Sequence, residues 1–457
     1  MWRAGAWHGP ANIMPPRLHL NPCLRQLCRL AAVLLLGAAG AAPATRAGEP
    51  DSDLRLVIMV TRHGVRSPLY TNNELGRFAA QPWPQWTVAP GILTPHGRQQ
   101  MILMGAYYRA LYTAEGLLTG DAATDLPRVY FRASSFQRTR ETAQDLAAGM
   151  LPGATIELHA RPLDEFDPMF RPVMLPVGHP DRNLGVAAVL GRIGQDPTAV
   201  LRACTPEFAT LHRVLLGIGA MPAGKVDLRD LPATVVPGTG DSTVTVQGPL
   251  RTAMQITDNL MLEYAEGMPM AEVGWGRLTP ADLTQLIRLH SLYFDLAHAT
   301  FYPAQAQASN LASHILLTVD QAASGRPDPG AFGTLAHRLV VIVGHDTNII
   351  GLGGLLGLSW WLPGTQPNPV LPGGALVFEL RQRRQNHQFT VRAYYLSQTL
   401  EQMRALDPLT PKNPPARAPI FLPGCSEAGP GFDAPLGRFD ELLRRVIDPG
   451  FVLPSPN

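Results

Sequence analysis

Short apolar runs that end abruptly in polar residues organise this chain. Leu54 to Val60 (LRLVIMV), Val129 to Ala133 (VYFRA) and Leu339 to Val343 (LVVIV) have the character of strands buried on both faces. The first leads into Thr61-Arg62-His63-Gly64-Val65-Arg66-Ser67-Pro68. The second leads into Ser134-Ser135-Phe136-Gln137-Arg138-Thr139-Arg140 and a helix reaching about Met150. The third leads into Gly344-His345-Asp346-Thr347-Asn348 and an apolar helix from about Ile349. A further helix over Gln99 to Leu111 is preceded by Thr94 as cap and Pro95 at the first helical position. In α/β sheets, ligands collect at the carboxyl ends of strands, where loops and helix N-termini converge. The three polar segments are therefore expected to share one pocket despite their separation in sequence.

The stretch from about Gly178 to Thr300 differs. Helical patterning appears at Thr205–Leu216, Leu250–Glu266 and Pro280–His298, with little that reads as buried strand. It reads as a helical insertion over 178–300 that caps a sheet built from 48–177 and 301–457. The pieces Trp361 to Gly374 and Pro408 to Gly431 read as long loops.

Composition narrows the function. Apolar residues make up 46% of the 457 positions and charged residues 16%, as in a globular enzyme rather than a disordered chain. Net charge is only +2, which excludes nucleic acid as the main partner and requires that any bound anion be held by a local cluster of cations. Residues 1–47 have the order of a secretory leader. Arg17, Arg25 and Arg29 precede the apolar run Leu30 to Ala42, and small residues follow. That run is too short to span comfortably as an anchor, so a cleaved leader and a periplasmic or secreted product are expected, without a stable membrane anchor. Cleavage would remove Cys23 and Cys28. Cys204 and Cys425 would then meet an oxidising compartment, and the sequence leaves open whether they pair.

The candidate chemistry sits in the three polar segments. Arginine presents a planar fork that matches phosphate oxygens, so Arg62 and Arg66 suit a phosphate dianion. His63 between them is a candidate nucleophile, since flanking cations depress its pKa and keep the imidazole neutral. Asp346 is placed to protonate a leaving alkoxide, and His345 to donate to a phosphoryl oxygen. Arg138 is the better candidate to complete a three-arginine cradle, with Arg140 in an ordinary salt bridge. His159, His179, His290, His298, His314 and His337 lack metal-ligand spacing and read as structural, and His96 reads as satisfied in the first turn of its helix, with a role near the phosphate as the alternative. Trp83 and Trp86, like Trp360 and Trp361, read as loop-packing aromatics rather than a sugar platform. Glu165 and Asp167 read as loop anchors or contacts to a substrate hydroxyl, and Met254 and Glu263 as residues on the cap side of the cleft.

The string R-H-G-V-R-S-P at 62–68, paired with the distant G-H-D-T-N at 344–348, resembles the histidine acid phosphatase family (histidine phosphatase superfamily, branch 2). It is most similar to the bacterial branch containing periplasmic phytases and glucose-1-phosphatase. Supporting segments are Asp167-Pro168-Met169-Phe170-Arg171-Pro172, Gly248-Pro249-Leu250, Glu263 to Pro269 with Gly274-Trp275-Gly276, and Pro372-Gly373-Gly374 before a strand. The resemblance runs from about Arg55 to Asp440. It implies a doubly wound α/β sheet with helices on both faces, in the manner of phosphoglycerate mutase, plus an inserted α-helical domain. It also implies His63 as nucleophile, Asp346 as proton donor, and Arg62, Arg66, Arg138 and His345 as phosphate ligands, with no metal or organic cofactor. The expected substrate is a small phosphate monoester. Leu69-Tyr70 follow the proline where phytase-type members commonly carry Thr-Lys, which removes a cation suited to a poly-phosphorylated inositol. Sugar phosphates are therefore the expected substrates, and phytate stays open. Enteric relatives carry additional paired cysteines that are absent here, so Cys425 is expected to be free or bonded to Cys204. A phosphohistidine-dependent transferase or mutase and a non-catalytic phosphate-binding module are the alternatives. Oligomeric state is not set by the sequence.

Overall fold

Strand β1 (Ser52–Arg62) is apolar on both faces, with Leu56, Ile58 and Val60 on one and Val57 and Met59 on the other. That alternation commits the strand to the middle of a sheet covered on both sides. The computed structural model describes residues 51–174 and 178–455, and the expected leader lies outside them. Short helical turns aside, the chain continues through α1 (Pro95–Ala114), β2 (Val129–Ala133), α2 (Gln137–Met150), β3 (Leu158–His159), α3 (Arg182–Arg192) and α4 (Thr205–Leu216). A hairpin of β4 (Thr234–Pro237) and β5 (Val244–Gln247) follows, then α5 (Pro249–Ala265), α6 (Pro280–Ala297) and α7 (Phe301–Ser324). The last part holds β6 (Leu339–Gly344), α8 (Asp346–Leu356), β7 (Ala375–Arg383), β8 (Phe389–Ser397), β9 (Ala416–Ile420), β10 (Ala434–Pro435) and α9 (Leu436–Val446).

The main sheet has the order β10-β8-β7-β1-β6-β2-β3, with β9 also paired to β8. The β1, β6, β2 and β3 part is parallel, whereas β7, β8, β9 and β10 pair antiparallel. The fold is thus α/β with helices on both faces, and half of its sheet is antiparallel. One face packs Met101 and Met104 of α1 and Leu146 of α2 against Val57, Met59, Val341 and Val377. The other face, with Ile58, Val60 and Ile342, shares one continuous core with Val189, Phe208, Leu260 and Leu286 of the helical segment. That segment also contains the β4–β5 hairpin, which its sequence pattern does not announce. Likewise β9 forms inside the stretch expected as loop over 408–431. Cys204 and Cys425 are both buried and both free.

Three backbone features hold the functional loops in place. Thr94 caps α1 by accepting from the Gly97 amide, and its hydroxyl donates to Glu266 at 2.6 Å. Gly97 abuts the Val65 carbonyl so closely that a Cβ there would collide with backbone. The imidazole-bearing residue His345 forms the N-cap of α8, with its amide donating to Asn348 Oδ1 at 2.9 Å.

Two carboxyls on α5 and at its end give the fold a pH signature. Burial pushes Glu263 up to about 8, against one hydrogen bond from the Gly274 amide, and pushes Glu266 up to about 7. Below pH 4.5 both folded and unfolded chains keep the proton. Above it the unfolded chain ionises first, so this contribution to stability drains away as pH rises toward 8. Replacing Glu263 with Gln is expected to flatten the fall in stability between pH 5 and 8, by on the order of 3 kcal/mol. Urea melts at both ends of that range check this, and an unchanged pH slope would contradict it.

Candidate active site

The carboxyl ends of β1 and β6 lie side by side, with Arg62 paired to Gly344 in register. This adjacency joins the two distant motifs. The His63 amide donates to the Gly344 carbonyl at 3.1 Å, and the His63 carbonyl accepts from the Gly373 amide at 2.9 Å. Beyond it, the Gly64 amide is held by Thr142 Oγ1 and the Val65 amide by Gln100 Oε1. The histidine backbone is therefore fixed by contacts from several separate elements.

Its ring is fixed as well. His63 Nδ1 lies 2.9 Å from the Gly64 carbonyl oxygen. A carbonyl only accepts, so Nδ1 carries the proton and Nε2 keeps its lone pair. Burial, then the charges of Arg138, Arg66 and Arg62, hold the His63 pKa well below its usual value. Burial and the charges of Arg138 and Arg171 do the same to His345. The two rings stand edge to face, 5.7 Å between centroids, and His345 Nε2 lies 3.2 Å from Ser134 Oγ.

A cavity of about 330 Å³ opens over these rings. His63, Arg66, Arg138, His345 and Asp346 all line it. Arg62 does not: it is fully buried behind that wall, donating to the Val370 carbonyl at 2.7 Å and Asp258 Oδ1 at 3.0 Å, with Asp346 Oδ2 3.3 Å away. Arg66 donates to the other oxygen of Asp258, also at 3.0 Å. Asp258 on α5 thus ties both arginines of the motif together from the helical side. Its own burial pushes its pKa up, but Arg66 and Arg62 outweigh that and hold it well below the carboxylate range. Asp346, the first residue of α8, takes the Thr347 amide on Oδ1.

Arg138 is the most exposed to frustration. Its guanidinium stacks over the Phe136 ring at 4.5 Å, and its Nε is buried without a partner. Burial, followed by repulsion from Arg66, lowers its pKa to about 9. A desolvated cation crowded by other cations is a site that an anion would relieve. Arg140 instead donates to the Arg161 carbonyl and takes no part in the lining.

Several lining residues were not singled out by their sequence as functional. Arg171 stands over Phe136 and Phe166 and pairs with Asp241 at 2.7 Å. His290 lies 3.8 Å from Asp258, with burial lowering its pKa to about 4 against the pull of that carboxylate. Arg251, Tyr293, Phe294 and His298 complete the cap side, and Tyr70 lines the cavity from the loop after β1. His290 and His298, which read as structural, therefore face the cavity. The polar run Thr257-Asp258-Asn259, flanked by Ile256 and Leu260 within α5, was the available signal for Asp258. Met254 lines the cavity, but Glu263 does not. Asp167 anchors its loop by pairing with Arg132 at 2.8 Å, and His96 donates to the Met403 carbonyl.

The fold and this motif pair define the class: the chain belongs to the histidine phosphatase superfamily (branch 2), whose family model matches residues 53–180 and 270–396. Phytase AppA of Escherichia coli (strain K12) is 31% identical over 410 residues, covering 88% of this chain and 94% of the relative. The glucose-1-phosphatase of Salmonella typhimurium is 29% identical over 426 residues, covering 91% and 97%. The solved phytase of Citrobacter braakii superposes with a TM-score of 0.81 at 31% identity, covering 88% of this chain and all of that one. The chain is accordingly an enzyme of the histidine acid phosphatase type.

Proposed function

We propose that this enzyme hydrolyses small phosphate monoesters, sugar phosphates first, through a phosphohistidine on His63. One observation carries the reading: His63 Nδ1 is committed to the Gly64 carbonyl, which leaves the Nε2 lone pair for phosphorus in a cavity lined by Arg66 and Arg138. In the first step Nε2 forms the N–P bond, the ester P–O bond breaks, and Asp346 gives its proton to the departing alcohol. In the second, water attacks phosphorus, the N–P bond breaks, and Asp346 takes the water's proton, which restores the enzyme. Arg66, Arg138 and His345 hold the phosphate oxygens. Arg62, behind the wall, adds its charge and positions Asp346.

The walls beyond the arginines favour a monophosphate of a compact alcohol. Leu69, Tyr70, Met254, Tyr293 and Phe294 supply ring-sized apolar surface, and Arg171 is already engaged by Asp241. Phytate is the poorer fit, because its remaining phosphates meet only Arg251 and the already paired Arg171 there. Export through the leader at 1–47 would place this chemistry in the periplasm or outside the cell.

Acidic conditions suit the site. Protonation would silence His63, but its pKa lies well below 6.5, so the lone pair persists as pH falls into the acid range. The general-acid role of Asp346 needs the opposite, a carboxyl that still holds a proton. Activity is expected to peak on the acid side, and a maximum above about pH 8 would contradict the acid role. Rapid acid-free quenching of a turnover with labelled aryl phosphate should capture label on His63 as a base-stable, acid-labile adduct. A label found on a carboxylate, or none during a pre-steady-state burst, would overturn the reading.

A further inference from the structure

Next to the catalytic cavity lies a second one, of about 290 Å³, just under the range of about 300–1,000 Å³ for small-molecule sites. Tyr70 lines both. Trp83, Trp86, Pro84 and Val88 supply its apolar surface, and Asn259 and Glu263 of α5 enter from the helical side. Trp83 packs across to the segment after α5, its ring tilted against Trp275 at 4.8 Å. Packing leaves its polar edge unused, however.

Three buried polar atoms of this lining have no partner among the described residues: Trp83 Nε1, Asn259 Oδ1 and Glu263 Oε1. The other ends of two of these side chains are committed. Asn259 Nδ2 donates to the Tyr70 carbonyl at 3.2 Å, and Glu263 Oε2 accepts from the Gly274 amide at 3.2 Å. Asn259 and Glu263 are each about 1% exposed, so an unmade hydrogen bond at either is costly. Among the described residues its lining contains no Arg, Lys or His, which disfavours phosphate as the occupant.

We propose that this cavity is a binding site for an uncharged ring polyol, a hexose or cyclitol, with Trp86 and Tyr70 against the ring and Trp83, Asn259 and Glu263 on its hydroxyls. A hydroxyl both donates and accepts, so neighbouring hydroxyls suit a mixed set of donors and acceptors. Trp83 supplies a donor and Asn259 an acceptor. Glu263, which burial pushes up to about 8, holds an O–H donor through the acid range. Aromatic faces beside a few fixed polar groups are the usual construction of such sites.

The test needs no turnover, so it stands or falls separately from the phosphohistidine chemistry. D-glucose and myo-inositol are titrated into the whole protein at pH 5, with inorganic phosphate held at saturation to fill the catalytic cavity, and tryptophan fluorescence or ligand-observed NMR is read. Saturable binding in the millimolar range is expected. Trp86→Ala should weaken it by about tenfold, the loss of one aromatic contact. Gln85→Trp, an exposed rim substitution that fills the mouth, should abolish it and serves if Trp86→Ala melts early. Binding that neither substitution changes, or that is absent for both polyols, would overturn the assignment. Binding of one polyol alone supports it and names the ring.

Discussion

His63→Ala is expected to lower kcat for any phosphate monoester by on the order of 10⁴–10⁶-fold, the scale of deleting a covalent nucleophile. Affinity for inorganic phosphate should survive within about tenfold, because Arg66, Arg138 and His345 remain and the charge-assisted bonds they offer do not pass through the lost ring. That split separates a chemical role from a structural one. Truncation also leaves a ring-sized space in front of phosphorus, so added imidazole should restore part of the rate, forming free phosphoimidazole while the alcohol leaves. Steady-state assays with 4-nitrophenyl phosphate, with and without imidazole, and phosphate titration by calorimetry check all three. Activity within tenfold of the parent enzyme would remove the covalent mechanism.

The part of the site that was legible in the sequence is local. His63, Arg66, Arg138, His345 and Asp346 each lie within five residues of the end of a buried strand, so an apolar run plus its polar exit was enough to place them at one sheet end. Helix starts read well for the same reason: Thr94 and Pro95 mark theirs by capping chemistry within a few residues. What failed to show is long-range or disguised by charge. Asp258 binds Arg62 across 196 positions, and an aspartate in a helix looks like a solvated one until its partners fold against it. Strand β7 is announced only by the Pro372-Gly373-Gly374 turn before it, because Glu379 and Arg381 sit in its interior as a buried pair, 2.8 Å apart, with Glu115 on the far side of Arg381. Charges at strand positions break the apolar signal, although pairing lets the fold accept them. Helix α7 buries Ala, Gln, Ser and Asn through its first half, and its apolar stripe (Leu311, Ile315, Leu316 and Val319) begins only in the second.

Asp346→Asn separates the two chemical steps, because its cost should depend on the leaving group. An alkoxide departs poorly without a proton, so glucose 1-phosphate or a glycerol phosphate should lose about 10²–10⁴-fold in kcat. A nitrophenolate leaves unprotonated, so the first step with 4-nitrophenyl phosphate should survive nearly intact. The second step still lacks its base, however, and phosphohistidine should accumulate. The expected signature is a burst of nitrophenolate equal to the enzyme concentration, followed by a slow steady rate that the parent enzyme does not show. The substitution also frees the face of Arg62 that now lies 3.3 Å from the carboxylate and removes a negative charge from the cavity wall, so inorganic phosphate should bind more tightly. Equal losses for alkyl and aryl esters without a burst would instead assign Asp346 to holding Arg62 in place, and the proton would have to come from another group lining the cavity. His290 is a poor replacement at pH 5: with its pKa lowered to about 4 by burial, it is mostly neutral there and has little acid to give.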